Sequence, residues 1–419
     1  MISDQARDDL LEMIVGWAQE HAQADSVEQA EQLGQETGAI VRQAVAQQAV
    51  NDSIARSEQA VGRVVCACGG EARLVDRRAR VLVSLCGELR VRRRYYHCAG
   101  CRRGWAPWDR AQGLTQRQFT PQVKAQVSEV CARLPYGETV ELLAQLSGLR
   151  IEESCAEQIV AEVGARVRGA QQGEIAAARA GELAATVGPE RLYVAVDGAH
   201  AHVAEQWHEV KHVMAEVEGG PRRYDAALET ASTFGERMYR LAAQLGVEQA
   251  GEVVMLGDGA EWIWNLSELH FPGAVEILDY YHACEYIHAV ATAHYGEADG
   301  GARRWAEGHK QRLLEEGPEP LLRALAALRP TNATAAEVIA RTRGYVLRHR
   351  ARMRYPQFRA RGLRIGSGPV EAACKVITAQ RLKQAGMRWS ATGADAILAL
   401  RCLLKSGQRD QIRRYARAA

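Results

Sequence analysis

The chain lacks any apolar run near the roughly 18 residues that a membrane-spanning helix needs, so no membrane partner is expected. Its N-terminus, MISDQARDDLLEMIVGWAQEH, lacks a basic leading region and a small-residue cleavage site, and does not read as a signal peptide. Together these absences lead to the expectation of a cytoplasmic protein, whose ten cysteines are reduced rather than paired as structural disulfides. No repeat of fixed period is visible, which argues against a solenoid or propeller. Nor is there a compositional bias: 47% hydrophobic and 25% charged residues exclude global disorder. The 419 residues allow two to four domains.

The net charge is also small, 53 Lys and Arg against 51 Asp and Glu, but it is unevenly spread. Residues 1–60 hold eleven acidic and three basic side chains, a net of −8. Residues 341–419 hold nineteen basic and three acidic ones, a net of +16, mostly arginine. A basic end of this kind suits a polyanion, and arginine is the better bidentate phosphate binder. A solvated helical surface would give the same composition.

Periodicity divides the chain into six stretches. Residues 1–60 read as a helical arm with Leu10, Ile14 and Trp17 on one face, either a dimerisation element or a packed helical pair. Residues 61–112 carry short β-rich runs separated by CGG and CGE turns. Residues 113–188 return to helical spacing, with ETVELLAQL and EESCAEQIVAEVGARV in a helix-turn-helix-like pattern followed by a connector. Residues 189–295 alternate strands and helices. Residues 296–365 are almost wholly helical, and residues 366–419 hold a last pair of helices and a basic tail.

Two constellations carry chemistry. Cys66-x-Cys68 and Cys98-x2-Cys101 flank the β-rich runs, and four thiolates brought together by a ribbon satisfy tetrahedral structural Zn²⁺. Cys86, between the pairs, reads as a small core side chain or a spare ligand. Arg90, Arg92, Arg93, Arg94, Arg102 and Arg103, with Tyr95, Tyr96 and Trp105 among them, suit DNA contact. The second constellation is acidic. Asp197 ends the first strand of the α/β stretch, Asp258 ends the fourth, Asp279 follows the fifth, and Glu371 sits in the first turn of a late helix after GSG. Carboxylates at those places suit a two-metal phosphoryl-transfer site holding Mg²⁺ or Mn²⁺. Asp279 and His282 share one helix face, and Lys375 lies one turn beyond Glu371. His200, His202, His208 and His212 cluster after Asp197, but on alternating strand positions they read as surface or core residues.

The strings CACGG with YYHCAGCRRGWAPWD, VAVDGAHAHV with EVK, MLGDGAEWIW, LDYYHACEYIH, GSGPVEAACK and RLKQAGMRWSATGADAILALR carry a resemblance. In this order, over about residues 60–405, they resemble transposases of the Kra-type insertion-sequence family, within the wider group that has an RNase H-like catalytic core. The resemblance implies a multidomain α+β protein. It would have N-terminal helices, zinc-ribbon and helix-turn-helix DNA-binding modules, and an RNase H-like α/β core with a helical insertion between Asp279 and Glu371. It also implies metal-dependent DNA strand cleavage and strand transfer by a triad of Asp197, Asp258 and Glu371, with Asp279 and His282 as a D-x2-H element. The expected partners are double-stranded DNA, both terminal inverted repeats and target, and further copies of the chain. The expected location is then the nucleoid. Two alternatives remain: a stand-alone RNase H-like structure-selective nuclease, and a non-catalytic DNA-binding derivative, which retention of all three carboxylates disfavours.

Overall fold

The CGG and CGE turn signals bound one long hairpin. In the computed structural model, which describes residues 4–60, 64–114, 118–183, 188–297 and 300–417, β2 (Glu71–Ser84) pairs antiparallel with β3 (Gly87–Cys98). Short strands β1 (Val64–Val65) and β4 (Gly104–Trp105) widen the sheet at its cysteine end, in the order β1-β2-β3-β4. Two small cores grip the ribbon from opposite faces. Leu82, Leu89 and Val91 pack with Ile54 and Trp108 near the turn, while Ala72, Tyr96 and Cys98 pack with Cys66 at the other end.

A two-stranded ribbon leaves unpaired backbone groups on its edges, a liability unless covered. Two N-terminal helices precede the ribbon, α1 (Asp4–His21) and α2 (Val27–Ala60), and α2 lies along the β3 edge. The Gln43 side chain donates to the Glu88 carbonyl at 2.8 Å. Gln47 both donates to the Arg90 carbonyl and accepts from the Arg90 N–H, each at 2.8 Å, and Glu58 accepts from the Arg94 N–H at 2.8 Å. Polar side chains of the arm thus satisfy part of the backbone hydrogen bonding along this strand edge.

The chain forms two compact units, one of residues 1–126, 140–151 and 416–419, the other of residues 127–139 and 152–415. After α3 (Pro107–Ala111), the helical stretch holds α4 (Pro121–Cys131), α5 (Tyr136–Ser147) and α6 (Glu153–Arg179), and the division runs through it. Helix α6 belongs wholly to the second unit. At 60% helix and 18% strand the chain is mixed α/β, as its changing periodicity implies. Among the described residues no helix is long and apolar enough to cross a membrane.

The second unit is built on a five-stranded sheet. β5 (Arg191–Val203), β6 (Gln206–Val217) and β7 (Arg222–Ala227) form an antiparallel meander. Helix α7 (Ala231–Ala243) leads to β8 (Glu252–Gly257), and α8 (Glu261–His270) to β9 (Val275–Leu278). Both late strands run parallel to β5, giving the order β7-β6-β5-β8-β9. Leu192 to Val196 are all buried, which explains why RLYVAV shows no alternation: β5 is central and covered on both faces. The expectation that Asp197 ends this strand does not hold. β5 runs on to Val203 because β6 continues to pair with it, and Asp197 sits in its middle, two residues past the last β8 pair at Ala195–Leu256. Asp258 and Asp279 directly follow the parallel strands β8 and β9.

Helix α9 (Tyr280–Tyr295) opens an all-helical stretch, α10 (Gly300–Glu316), α11 (Pro318–Ala327), α12 (Ala333–Arg348) and α13 (Tyr355–Ala360). The chain then returns through α14 (Gly368–Ala373), a π-helical turn Cys374–Ala379, α15 (Gln380–Leu382), α16 (Ala391–Lys405) and α17 (Arg409–Ala416). A Cβ on Gly164 of α6 would meet the Ala396 Cβ of α16 at 2.4 Å, so glycine is what lets these two helices cross closely.

Part of the basic excess of residues 341–419 is engaged inside this unit. Arg350, Arg352, Arg361, Arg364 and Arg409 pair with Glu319, Glu276, Glu252, Glu216 and Glu129. Arg381 and Arg401 are buried, donating to the Cys131 and Ala132 carbonyls. The composition of the segment therefore overstates the cationic surface it presents.

Candidate metal centre and candidate active site

The CACGG turn is shaped for its sulfurs. Cys66 N–H donates to the Gly70 carbonyl at 2.8 Å, closing a turn in which Gly69 has φ +84°. A Cβ on Gly70 would stand 3.2 Å from the Cys98 sulfur and 3.4 Å from that of Cys68, a tight fit. Across the sheet, Cys98 N–H donates to the Arg103 carbonyl at 2.9 Å and brings Cys101 back beside Cys98. The Sγ–Sγ distances are 3.4 Å for Cys66–Cys101 and 3.6 Å for Cys68–Cys98, and all four sulfurs lie within 4.8 Å of one another. Tetrahedral Zn–S bonds of about 2.3 Å place sulfurs about 3.8 Å apart, so the donor set fits zinc and none of the cysteines forms a disulfide. The Cys101 backbone N–H draws the Cys98 thiol down to about 7, toward the thiolate that a metal requires. Cys86, in the hairpin turn, stands outside this group.

The carboxylates are assembled differently. Asp197, on β5, accepts from its neighbour Gly198 N–H at 2.7 Å, and its second oxygen accepts the Cys374 S–H at 3.3 Å. Asp258 follows β8 and accepts from Ala260 N–H at 2.9 Å, while its carbonyl accepts the Tyr345 hydroxyl at 2.7 Å. Between them Gly259 has φ +100°, and a Cβ there would meet the Tyr345 hydroxyl at 2.6 Å. The helical stretch thus reaches back to hold the turn after β8.

Asp279, 1% exposed, caps α9 by accepting from His282 N–H at 2.9 Å. Its other oxygen accepts both the backbone N–H and the hydroxyl of Ser367. Those bonds tie the GSG loop, and hence the start of α14, to the end of β9. Glu371 lies in the first turn of α14. Lys375 beyond it is exposed. His282 is half-buried, paired with Glu285 at 3.2 Å and set edge-on to Tyr286, which itself stacks on Tyr345 at 3.9 Å.

Electrostatics link these groups. Burial pushes the Asp197 carboxyl above the usual range, and Asp258 adds to the rise; the bonds from Cys374 and Gly198 and the His282 imidazole offset it only in part. Burial likewise raises Glu371, with Asp279 and then Asp197 adding to it and Lys375 opposing. Mutual repulsion of this kind is what a divalent cation relieves, and the donors are hard oxygens. The carboxylates are nevertheless looser than the thiols. Among the described residues, the four cysteines are the only set of three or more such ligands within 4.8 Å of one another.

Three further residues complete the arrangement: His212, which in the sequence reads as a surface or core residue, and Cys374 and Thr378, which the sequence does not single out. His212 lies opposite Asp197 in the β5–β6 register and is fully buried. Its Nδ1–H donates to the Val210 carbonyl at 3.0 Å, so Nε2 accepts the Thr378 hydroxyl at 2.8 Å. Burial holds its pKa down at about 4, keeping the ring neutral. Cys374 and Thr378, one helical turn apart in the π-helical segment, thus fasten the helix bearing Glu371 to Asp197 and to its strand partner. The i, i+3 and i+7 spacing from Glu371 was the signal available in the sequence. His200, His202 and His208 do not join a ligand group among the described residues.

The sequence matches no family model and no curated protein.

Proposed function

We propose that the chain is a DNA transposase of the DDE type, with an RNase H-like core in the second unit and a zinc ribbon in the first. One observation carries the reading. Asp197 lies within the central strand, two residues past its last pairing with the parallel neighbour that Asp258 follows, and a third carboxylate sits on a helix fastened to that central strand. All three are oxygen donors, two with carboxyls raised by burial and by neighbouring carboxylates. The strand order β7-β6-β5-β8-β9 and the resemblance of the surrounding motifs both favour this reading.

Asp197, Asp258 and Glu371 would hold the cations. Two Mg²⁺ or Mn²⁺ ions bound there supply charge neutralisation at the attacking and leaving oxygens of an in-line displacement. The rest is the work of the chain's own groups. Gly198 N–H and the Cys374 thiol fix the Asp197 carboxylate, while Ala260 N–H and the Tyr345 hydroxyl fix the turn carrying Asp258. Asp279, with both oxygens occupied by the chain, acts as a positioning residue for Glu371.

The test is strand cleavage and joining on labelled duplexes carrying the DNA that bounds the gene. Asp197→Asn, Asp258→Asn and Glu371→Gln should each lower joining by about 10³-fold or more, while DNA binding and melting survive. Appreciable joining by Glu371→Gln removes that residue from the triad. Cleavage without joining by the unaltered chain favours the stand-alone nuclease instead.

A further inference from the structure

One face of the β2–β3 ribbon is covered at its cysteine end, and held by Glu58 at the Arg77–Arg94 rung, but carries exposed side chains from there toward the hairpin turn. Opposed residues of an antiparallel pair share a face, so Arg77 with Arg94, Ala79 with Arg92, and Val81 with Arg90 lie in three successive rungs. Ala79, Val81, Arg90 and Arg92 are all exposed. The alternate face is covered near the turn, where Leu82, Leu89 and Val91 are buried and Asp109 binds Arg80 and Arg93.

Charge on the open face is graded. Arg77 and Arg94 stand directly opposite, a like-charge pair that would destabilise the ribbon, and both are neutralised by Glu58 of α2. Arg90 and Arg92 have no acidic partner among the described residues. The Arg90 backbone is nonetheless fixed: Gln47 binds both of its polar groups. Two unpaired guanidinium groups on a rigid, otherwise small-residue surface form a pre-organised anion- and acceptor-binding strip.

From this we infer that the open face of the ribbon docks in the major groove of duplex DNA, with Arg90 and Arg92 reading base edges. The groove admits a two-stranded β-ribbon, and arginine is the commonest bidentate reader of guanine there. The face from the Arg77 rung to the Val81 rung is about 13 Å long at about 3.3 Å per residue, the rise of about four base pairs. Val81, 40% exposed, offers the apolar contact that suits a thymine methyl. A-form RNA hides the corresponding edges in a deep, narrow groove, so the occupant is DNA rather than RNA. The inference deepens the DNA-processing reading and rests on it.

The experiment selects duplexes from a random pool with the full chain, without added Mg²⁺ or Mn²⁺, and repeats the selection with two double variants. The unaltered chain should enrich a guanine-containing site. Arg90→Lys/Arg92→Lys keeps the charge and loses the bidentate fork, so it should keep its salt dependence while discrimination falls by on the order of 5- to 150-fold per contact. Arg90→Ala/Arg92→Ala should lose discrimination as well and weaken binding to random DNA. Methylation of guanine N7 within the selected site should block the unaltered protein, a measurement that needs no variant. The inference is overturned if the unaltered chain enriches no sequence, if both variants select the same site as strongly, or if duplex RNA of that sequence competes equally. Because the selection holds no catalytic cation, it scores binding apart from cleavage: a chain that selects DNA here but neither cleaves nor joins it once Mg²⁺ is supplied refutes the transposase reading and leaves this one standing.

Discussion

The two candidate metal centres of this chain are opposites in construction. The cysteine set comes from two short local turns joined by one hairpin, and its four sulfurs already lie at nearly the spacing a tetrahedral ion imposes. The carboxylate set comes from residues up to 174 positions apart, is held by hydrogen bonds to the chain itself, and repels itself through burial. The difference follows from role. A structural ion rewards a closed donor set, whereas a catalytic ion needs open positions and ligands that retain charge. Stability and activity should therefore respond to opposite manipulations at the two places.

The largest effect is expected at the cysteines. Structural zinc contributes on the order of 10 kcal/mol to the folding of small zinc modules, so Cys98→Ser should abolish zinc binding and unfold the ribbon. Elemental analysis should give roughly one Zn per chain for the unaltered protein and none for the variant, and the melting transition of the second unit should persist. Zinc retained by Cys98→Ser would break the comparison at its root.

A smaller effect should follow loosening of the latch. Ser367→Ala and Asp279→Asn each remove hydrogen bonds that hold the start of α14, without touching Asp197, Asp258 or Glu371. By analogy with supporting groups around metal ligands, activity should fall by about 10- to 100-fold, chiefly as a weaker apparent Mg²⁺ affinity that high Mg²⁺ partly restores. An equal loss at every Mg²⁺ concentration would mean that Asp279 acts on the reaction itself.

The smallest effect sharpens the contrast most. The Asp197 carboxyl is raised in the folded chain, so it binds its proton more tightly there than in the unfolded chain. Stability contributed by this group is therefore lost as pH rises from the ordinary carboxyl range, about 3.9, through its raised value, and stays lost at neutral pH. Asp197→Asn escapes that loss. At pH 7.5 without divalent ions it should melt at or a few degrees above the unaltered protein. Mg²⁺ should raise the melting temperature of the unaltered protein alone. A variant that melts distinctly lower would mean that the Asp197 charge stabilises the fold.

Of the fold, the sequence made legible what depends on near neighbours. The β-rich runs around CGG and CGE, the buried central strand RLYVAV and the helices after GDG and LDYY all follow from local periodicity and turn chemistry. The helix-turn-helix spacing of residues 136–168 was a weaker signal, shared by any small helical bundle, and α6 packs its buried face within the second unit, because an apolar stripe does not state which partner will cover it. Charge was the least legible quantity. The +16 of residues 341–419 is a sum over side chains, and only packing decides which of them meet Glu216, Glu252 or Glu276 and which meet water.

By itself the sequence determined the donors: four thiols in two close pairs, and carboxylates on or just after strands and after GSG. Those positions follow from spacing along the chain, which local backbone geometry converts directly into placement. What only the tertiary structure decided is how the acidic groups are held. Cys374 on Asp197, Tyr345 on the turn of Asp258, Ser367 on Asp279 and Thr378 on His212 join residues 87 to 177 positions apart. Such pairs leave no periodic trace, because they arise from the crossing of strands and helices whose separation in sequence is set by the intervening loops rather than by any repeat.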